Sequence, residues 1–287
     1  MPLATRFLLV ALAVISISIL TLILLSSSQQ TLNLPPPANP EHSKYCILVL
    51  CRRSNEYVSR FIKRVRKKLH YDCFGICNEV DTVFPDEFVN VSESECRALG
   101  ATNLTLISDI TAWDKGLTWA MWHRCEYSHF WFLEDDVYVP CLSFFRLYDT
   151  KESESIDLFA PPPSRTDVAS TEWHWHRVKN VSPSKWPLPW FSNWAQCLRL
   201  TSRFFVNIEH HLRLQEPNTH MIEYMFTTVA HHNGASTRWI EGLTKIEKGL
   251  PTIEDPEVAR KYVYHPVKDE NDKLRYDAIF SRLQGYL

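Results

Sequence analysis

Phe130-Trp-Phe-Leu-Glu-Asp-Asp-Val-Tyr-Val-Pro140 changes character in its middle. Four apolar residues, Phe130 to Leu133, run into three acids, Glu134, Asp135 and Asp136, and apolar residues resume at Val137. Aromatic and β-branched residues in a short run suit a strand buried on both faces. The acids then fall at or just past its carboxyl end, the end at which open α/β sheets bind ligands. Three adjacent carboxylates repel one another, and burying them together is costly unless a cation is present. Oxygen ligands in this number suit Mg²⁺ or Mn²⁺, above all when a substrate phosphate completes the shell. A solvated acidic turn is the plain alternative.

The strand has company. Tyr45 to Leu50 (YCILVL) reads as another buried strand, and Glu56 to Leu69 as a helix. Val58, Phe61, Ile62, Val65 and Leu69 form its apolar face, and the remainder is basic. Further strands are expected at Tyr71 to Asn78 and Leu104 to Ser108, a helix at Trp113 to Glu126, and a fifth strand from Leu158 to Ala160, stopped by Pro161-Pro-Pro163. Strands alternating with helices predict crossover units and a mainly parallel sheet. The Gly-rich phosphate loop of dinucleotide-binding and P-loop folds is missing, so a nucleotide has to be held another way, most simply by a metal on its diphosphate.

The flanks bound the function. Phe7 to Leu25 is uncharged and apolar apart from Ser16, Ser18 and Thr21. At 1.5 Å per residue it reaches across a bilayer core of about 30 Å. It reads as a signal anchor over 7–25 behind a cytoplasmic tail at 1–6; a cleavable signal peptide is the rival. Arg6 precedes the run and no basic residue follows until Lys44, which puts the body of the chain across the membrane. A Pro-rich stem at 26–44 leads to a folded domain at 45–287. Asn90-Val-Ser92, Asn103-Leu-Thr105 and Asn180-Val-Ser182 are glycosylation sequons. Eight cysteines permit disulfides in an oxidising compartment without fixing their connectivity. Cys73 and Cys77, four residues apart on one strand, sit about 13 Å from each other and do not pair. With 45% hydrophobic residues the 287-residue chain has material for a sizeable core, and a net charge of −2 gives no electrostatic case for nucleic acid.

A lumenal α/β domain behind an anchor and stem, with an acidic triplet after a central strand, resembles a GT-A-type nucleotide-sugar glycosyltransferase of the type II membrane form. The resemblance covers about Tyr45 to Lys268, in the order of motifs. Glu134-Asp135-Asp136 matches the D-x-D motif with Glu in the first position. The resemblance implies that Asp136 binds Mn²⁺ (or Mg²⁺), that Glu134 lies on the ribose side, and that Asp135 belongs to the donor site. It implies further that His265, in Tyr262-Val-Tyr-His-Pro266, completes the metal site. It also implies that Glu223, in His220-Met-Ile-Glu-Tyr224, is the base of an inverting reaction; the plain alternative is a helix-start acid that complements the dipole. Trp190 to Arg199 stands where the family has a glycine-containing loop, and contains no glycine.

Lys115, at the start of a helix, is a candidate contact for the donor diphosphate or base; a surface lysine is the alternative. Trp173, Trp175, Trp186, Trp190 and Trp194 are a candidate acceptor platform, because indole faces stack on sugars; a core patch is the alternative. Implied partners are a nucleotide-sugar donor, a glycan, glycoprotein or glycolipid acceptor, and a Golgi or ER membrane. A metal-dependent phosphoesterase and a non-catalytic sugar-binding protein remain the competing classes.

Overall fold

A computed structural model describes residues 43–79, 86–102, 104–105, 110–166, 186–214, 220–243, 245–246, 261–268, 271–274 and 277–278, all within the second of the chain's two units, Asn39–Leu287. The apolar run 7–25, stem residues 26–42, Asn103, the sequon at Asn180, and Trp173 to His176 lie outside them. No helix of the described residues is long and apolar enough to cross a membrane.

In chain order the elements are β1 (Tyr45–Cys51), α1 (Glu56–Leu69), β2 (Asp72–Cys77), β3 (Phe88–Val89), α2 (Glu93–Leu99), α3 (Ala112–Trp122), β4 (His129–Glu134), α4 (Ser143–Tyr148), β5 (Leu158–Ala160), β6 (Ser164–Thr166), β7 (Trp190–Ser192), β8 (Cys197–Thr201), α5 (Phe205–Leu214), α6 (Ile222–His232), β9 (Thr237–Trp239), β10 (Lys245–Ile246) and β11 (Tyr264–His265). Seven strands form one sheet in the order β3-β2-β1-β4-β8-β5-β9. All neighbours are parallel except at β8, which runs antiparallel to both β4 and β5. The expected mainly parallel α/β sheet is therefore present with one reversed strand.

Alternation along the strands divides the core. Cys46, Leu48, Leu50, Phe130 and Phe132 face a layer containing α3, α5 and α6. Ile47, Val49, Cys51, Trp131 and Leu133 face a layer containing α1 and α4. Each fully buried aliphatic or aromatic side chain contributes about 1.5–3 kcal/mol. In α1, Asn55 caps the first turn by accepting from Val58 N at 2.9 Å, and His70 ends the helix with φ 59°. The apolar stripe expected for this helix is buried, joined by Tyr57. Helix α3 is buried nearly all round. At Gly116 a Cβ would meet Leu50 Cδ2 at 2.6 Å, so the missing side chain is what lets α3 lie close against β1.

Two expectations need correction. Leu104 and Thr105 form a bend, and residues 106–109 lie outside the described ones; the strand beside β2 is β3, which is followed by α2. Its two residues are too few to announce themselves by alternation. Helix α3 also stops at Trp122, four residues early, and 123–126 form turns.

Candidate active site

The chain leaves β1 toward β2 and β3 on one side, then returns to place β4 on the other side of β1. The carboxyl ends of β1 and β4 thus flank a topological switch point, the place where open α/β sheets leave a crevice. A solvent-open cleft of about 200 Å³ lies there. It is lined by Leu50, Cys51 and Arg52 at the end of β1, Asn78 after β2, Thr105, Thr111 to Trp113 at the head of α3, and all three acids of the triplet.

The triplet is held by backbone on both sides. Glu134 N donates to Gln196 O and Asp135 N to Leu50 O, each at 2.9 Å. The turn that follows is clamped by the distant β11: Tyr138 and Tyr264 exchange two backbone bonds, at 2.8 and 2.9 Å, and Val267 N donates to Asp136 O at 2.8 Å. This clamp brings His265 over the acids from more than a hundred residues away. His265 Nε2 lies 3.2 Å from Asp136 Oδ1 and 3.9 Å from Glu134 Oε2. One ligand atom from each of Glu134, Asp136 and His265 falls within a 4.8 Å cluster.

The electrostatics of the cluster are uneven. Burial raises Glu134, and the neighbouring Asp136 charge adds to it, against the stabilising bond from Trp113. Burial likewise raises Asp135. Burial also works to raise Asp136, but His265 beside it more than offsets this and holds its carboxyl below the usual range. Asp136 Oδ1 is nevertheless buried without a hydrogen bond, since His265 meets it at contact distance but not in hydrogen-bond geometry. Two carboxylates and an imidazole converging, with one buried oxygen unsatisfied, fit a divalent cation.

Sequence reasoning missed several residues that build this site. Trp113 donates its indole N–H to Glu134 Oε1 at 2.8 Å while its ring stacks on Phe132, 5.5 Å between centroids. A bond to a charged group is worth about 1.5–3 kcal/mol. Asn78 accepts from Ala112 N through its side chain. Lys273 donates to Asp135 O and lies 4.7 Å over the Tyr57 ring. Asn78 was legible in principle, because it directly follows a parallel strand on the ligand-binding edge; Lys273 sits in no motif.

The remaining expected residues fall as follows. Lys115 is buried, and its Nζ donates to Asn78 O at 2.7 Å, so it stands behind a cleft residue. Glu223 lies in the first turn of α6, and its carbonyl accepts from Asn193 N at 2.9 Å. Burial, with the Glu134 charge adding to it, pushes its carboxyl up to about 7. Helix α6 packs on α3 through Phe226 and Trp113, 6.0 Å between centroids, so one indole touches both the acid it holds and the helix that carries Glu223. Of the tryptophans, Trp186 and Trp190 are core, stacked at 5.7 Å and buried with Met221 and Tyr224. That corrects the platform expectation for those two, while Trp194 is 41% exposed.

No protein-family model matches the chain, and no curated protein matches it. Among solved structures it is similar to a glycosyltransferase involved in the glycosylation of the major capsid of PBCV-1, at 13% identity and TM-score 0.40, over 83% of this chain and 98% of that one. It is also similar to the mannosyltransferase Ktr4p from S. cerevisiae, at 12% identity and TM-score 0.38, over 69% and 68% of the two chains. A third is Core-mannan synthase A (CmsA/Ktr4) from Aspergillus fumigatus in its Mn/GDP form, at 12% identity and TM-score 0.38, over 72% and 75%. The likeness is loose at these values.

Proposed function

We propose that the chain is a metal-dependent glycosyltransferase that moves a sugar from a nucleoside-diphosphate sugar to a glycan, protein or lipid acceptor, with inversion at the anomeric carbon. The observation that carries this reading is the convergence of Glu134, Asp136 and His265 at the switch-point cleft, with Glu223 within electrostatic reach of Glu134. Asp136, Glu134 and His265 would hold Mn²⁺ or Mg²⁺, which when bound supplies Lewis acidity toward the departing diphosphate.

The protein groups divide the rest of the work. Trp113 fixes Glu134 so that its second oxygen stays turned toward the cluster. Arg52 and Asn78 line the cleft at the strand ends, where the donor nucleotide would lie, and Lys115 anchors Asn78 from behind. Glu223 accepts the proton of the acceptor hydroxyl as its oxygen approaches the anomeric carbon. A carboxyl titrating near 7 is well matched to that task, because it is substantially ionised at neutral pH yet basic enough to take the proton. We further propose the type II arrangement, with the anchor at 7–25 in a Golgi or ER membrane and the catalytic domain lumenal.

A binding screen of nucleotide sugars with and without Mn²⁺ tests the assignment. The transferase reading expects strong binding of one nucleotide, abolished by chelation. Metal-dependent binding with no nucleoside preference would mark a phosphoesterase, and glycan binding needing neither metal nor nucleotide would mark a sugar-binding protein.

A further inference from the structure

Eight free thiols are present, and two of them face each other. Cys51 ends β1, Cys77 ends β2, and they are direct partners in the parallel register. Both point into the layer under α1 and both are buried. Their sulfurs lie 3.2 Å apart. Neighbouring strands run about 4.8 Å apart, inside the span of about 4.4–6.8 Å that a disulfide bridges between Cα atoms. A bond of about 2.05 Å leaves roughly 1 Å to close. By contrast Cys46 and Cys73, on the same two strands, lie on opposite faces.

We propose that Cys51 and Cys77 form a disulfide that ties the carboxyl ends of β1 and β2 together at the floor of the cleft. This goes beyond the transferase reading and stands or falls separately from it. Cys51 lines the cleft between Leu50 and Arg52. Backbone bonds already join the two ends there: Asn78 N donates to Cys51 O at 3.0 Å and Glu79 N to Arg52 O at 3.1 Å. A covalent link at this point fixes Arg52 and Asn78 against each other from the strand ends they follow.

The oxidant is a small or protein disulfide of the glutathione class. The Cys51 thiolate attacks one of its sulfurs and expels a thiolate, which takes up a proton. The Cys77 thiolate then attacks Cys51 Sγ in the mixed disulfide and expels the second thiolate, which is protonated in turn. The protein thiols lose two electrons and two protons, and the oxidant gains both. Its hydrogen bond with Cys77 and its burial push the Cys51 thiol up, so the exchange is slow once the strands have closed and fast while they assemble.

The test uses the full chain in detergent in two samples. One is reduced and held folded with oxidised glutathione at mildly alkaline pH; the other is unfolded and refolded in a glutathione redox buffer. Remaining thiols are alkylated, and the non-reduced digest is mapped by mass spectrometry. The expected result is a peptide pair linked through Cys51 and Cys77, two hydrogens lighter than the separate peptides, in at least the refolded sample. Both thiols alkylated in both samples, a glutathione adduct that persists on either one, or Cys77 linked elsewhere would overturn the proposal. Oxidation should also raise the Tm of the wild type and leave that of Cys77→Ser unchanged. An equal rise in the variant assigns the gain to another pair and rejects this one.

Discussion

At the scale of single residues, the site sets two carboxyls against each other by environment. Asp136 is held ionised beside His265, whereas burial keeps Glu223 near 7. Asp136→Asn keeps the size and removes an ionised ligand, so metal-dependent nucleotide binding should disappear while the circular dichroism spectrum is retained. His265→Ala should weaken metal affinity more mildly, by about 10–100-fold, the range typical of supporting groups around a metal. Normal metal-dependent binding in Asp136→Asn would remove the metal assignment. Glu223→Gln tests the base. It should lower kcat by about 10²–10⁴-fold and leave donor affinity near normal. The acid limb of the wild-type kcat/KM profile should have an apparent pKa near 7, because the base works only when deprotonated, and the variant should lose that limb. The same group has a stability signature. Its folded value lies above the ordinary 4.5, so the folded chain binds more protons than the unfolded chain between 4.5 and about 7. Stability therefore falls as pH rises through that window and is flat on either side. In metal-free buffer Glu223→Gln should gain Tm relative to wild type at pH 8 but not at pH 4; an equal difference at both would mean the carboxyl is not destabilised by burial.

At the scale of elements, β4 is fixed from both faces, and the face away from the cleft matters as much as the cleft. Arg199 on β8 and Asp149 after α4 form a fully buried ion pair at 2.8 Å, and Trp131 on β4 donates to the same carboxylate at 2.9 Å. The Arg199 guanidinium also lies 3.8 Å over the Phe159 ring and donates to Ser153 O at 2.7 Å. Arg199→Met should cost about 3–5 kcal/mol in urea unfolding, because it strands a buried carboxylate. A loss below about 1 kcal/mol would show that Asp149 is neutral in the folded chain. None of this network was legible in the sequence, since Arg199 and Asp149 lie fifty residues apart with no motif joining them. The acid-after-strand signal, by contrast, was local. Strand β4 and its triplet share one continuous stretch, and the periodicity of α1 reads directly. His265 was found by resemblance and brought to the site by pairing of Tyr264 with Tyr138, a long-range contact that no window of sequence contains. Trp113 read as an apolar face residue and is one; its ring serves the core while its N–H serves Glu134. The reversed strand β8 corrects the reading of Trp190 to Arg199 as the counterpart of a loop: its end, from Cys197, is a buried strand paired with β4 and β5, too short and too close to the tryptophans to stand out by alternation.

At the scale of the whole molecule, the sequence sets an uncharged run at 7–25 ahead of the folded residues and a sequon on the folded surface. Asn90 is exposed between β3 and α2, and Ser92 of the same sequon caps α2, its side chain accepting from Glu95 N at 3.3 Å. A glycan on Asn90 would project into solvent without disturbing that cap. The type II arrangement then makes two linked demands. In transfected cells the full chain should stay with membranes after carbonate washing, because a single apolar span of this length is not released by high pH. It should also migrate faster after removal of N-glycans, and Asn90→Gln should remove one glycan-sized step and no catalytic function, since Asn90 does not line the cleft. The two readouts separate the alternatives. A glycosylated but freely soluble product lacking about the first 28 residues would identify the run as a cleaved signal peptide. A membrane-bound chain with no glycan on any sequon would instead place the folded domain on the cytoplasmic side, where the oxidised Cys51–Cys77 pair is not expected to persist. A glycan on Asn90 with both Cys51 and Cys77 reduced would keep the lumenal placement and reject the disulfide, whereas an unglycosylated chain with both thiols reduced would reject the lumenal placement.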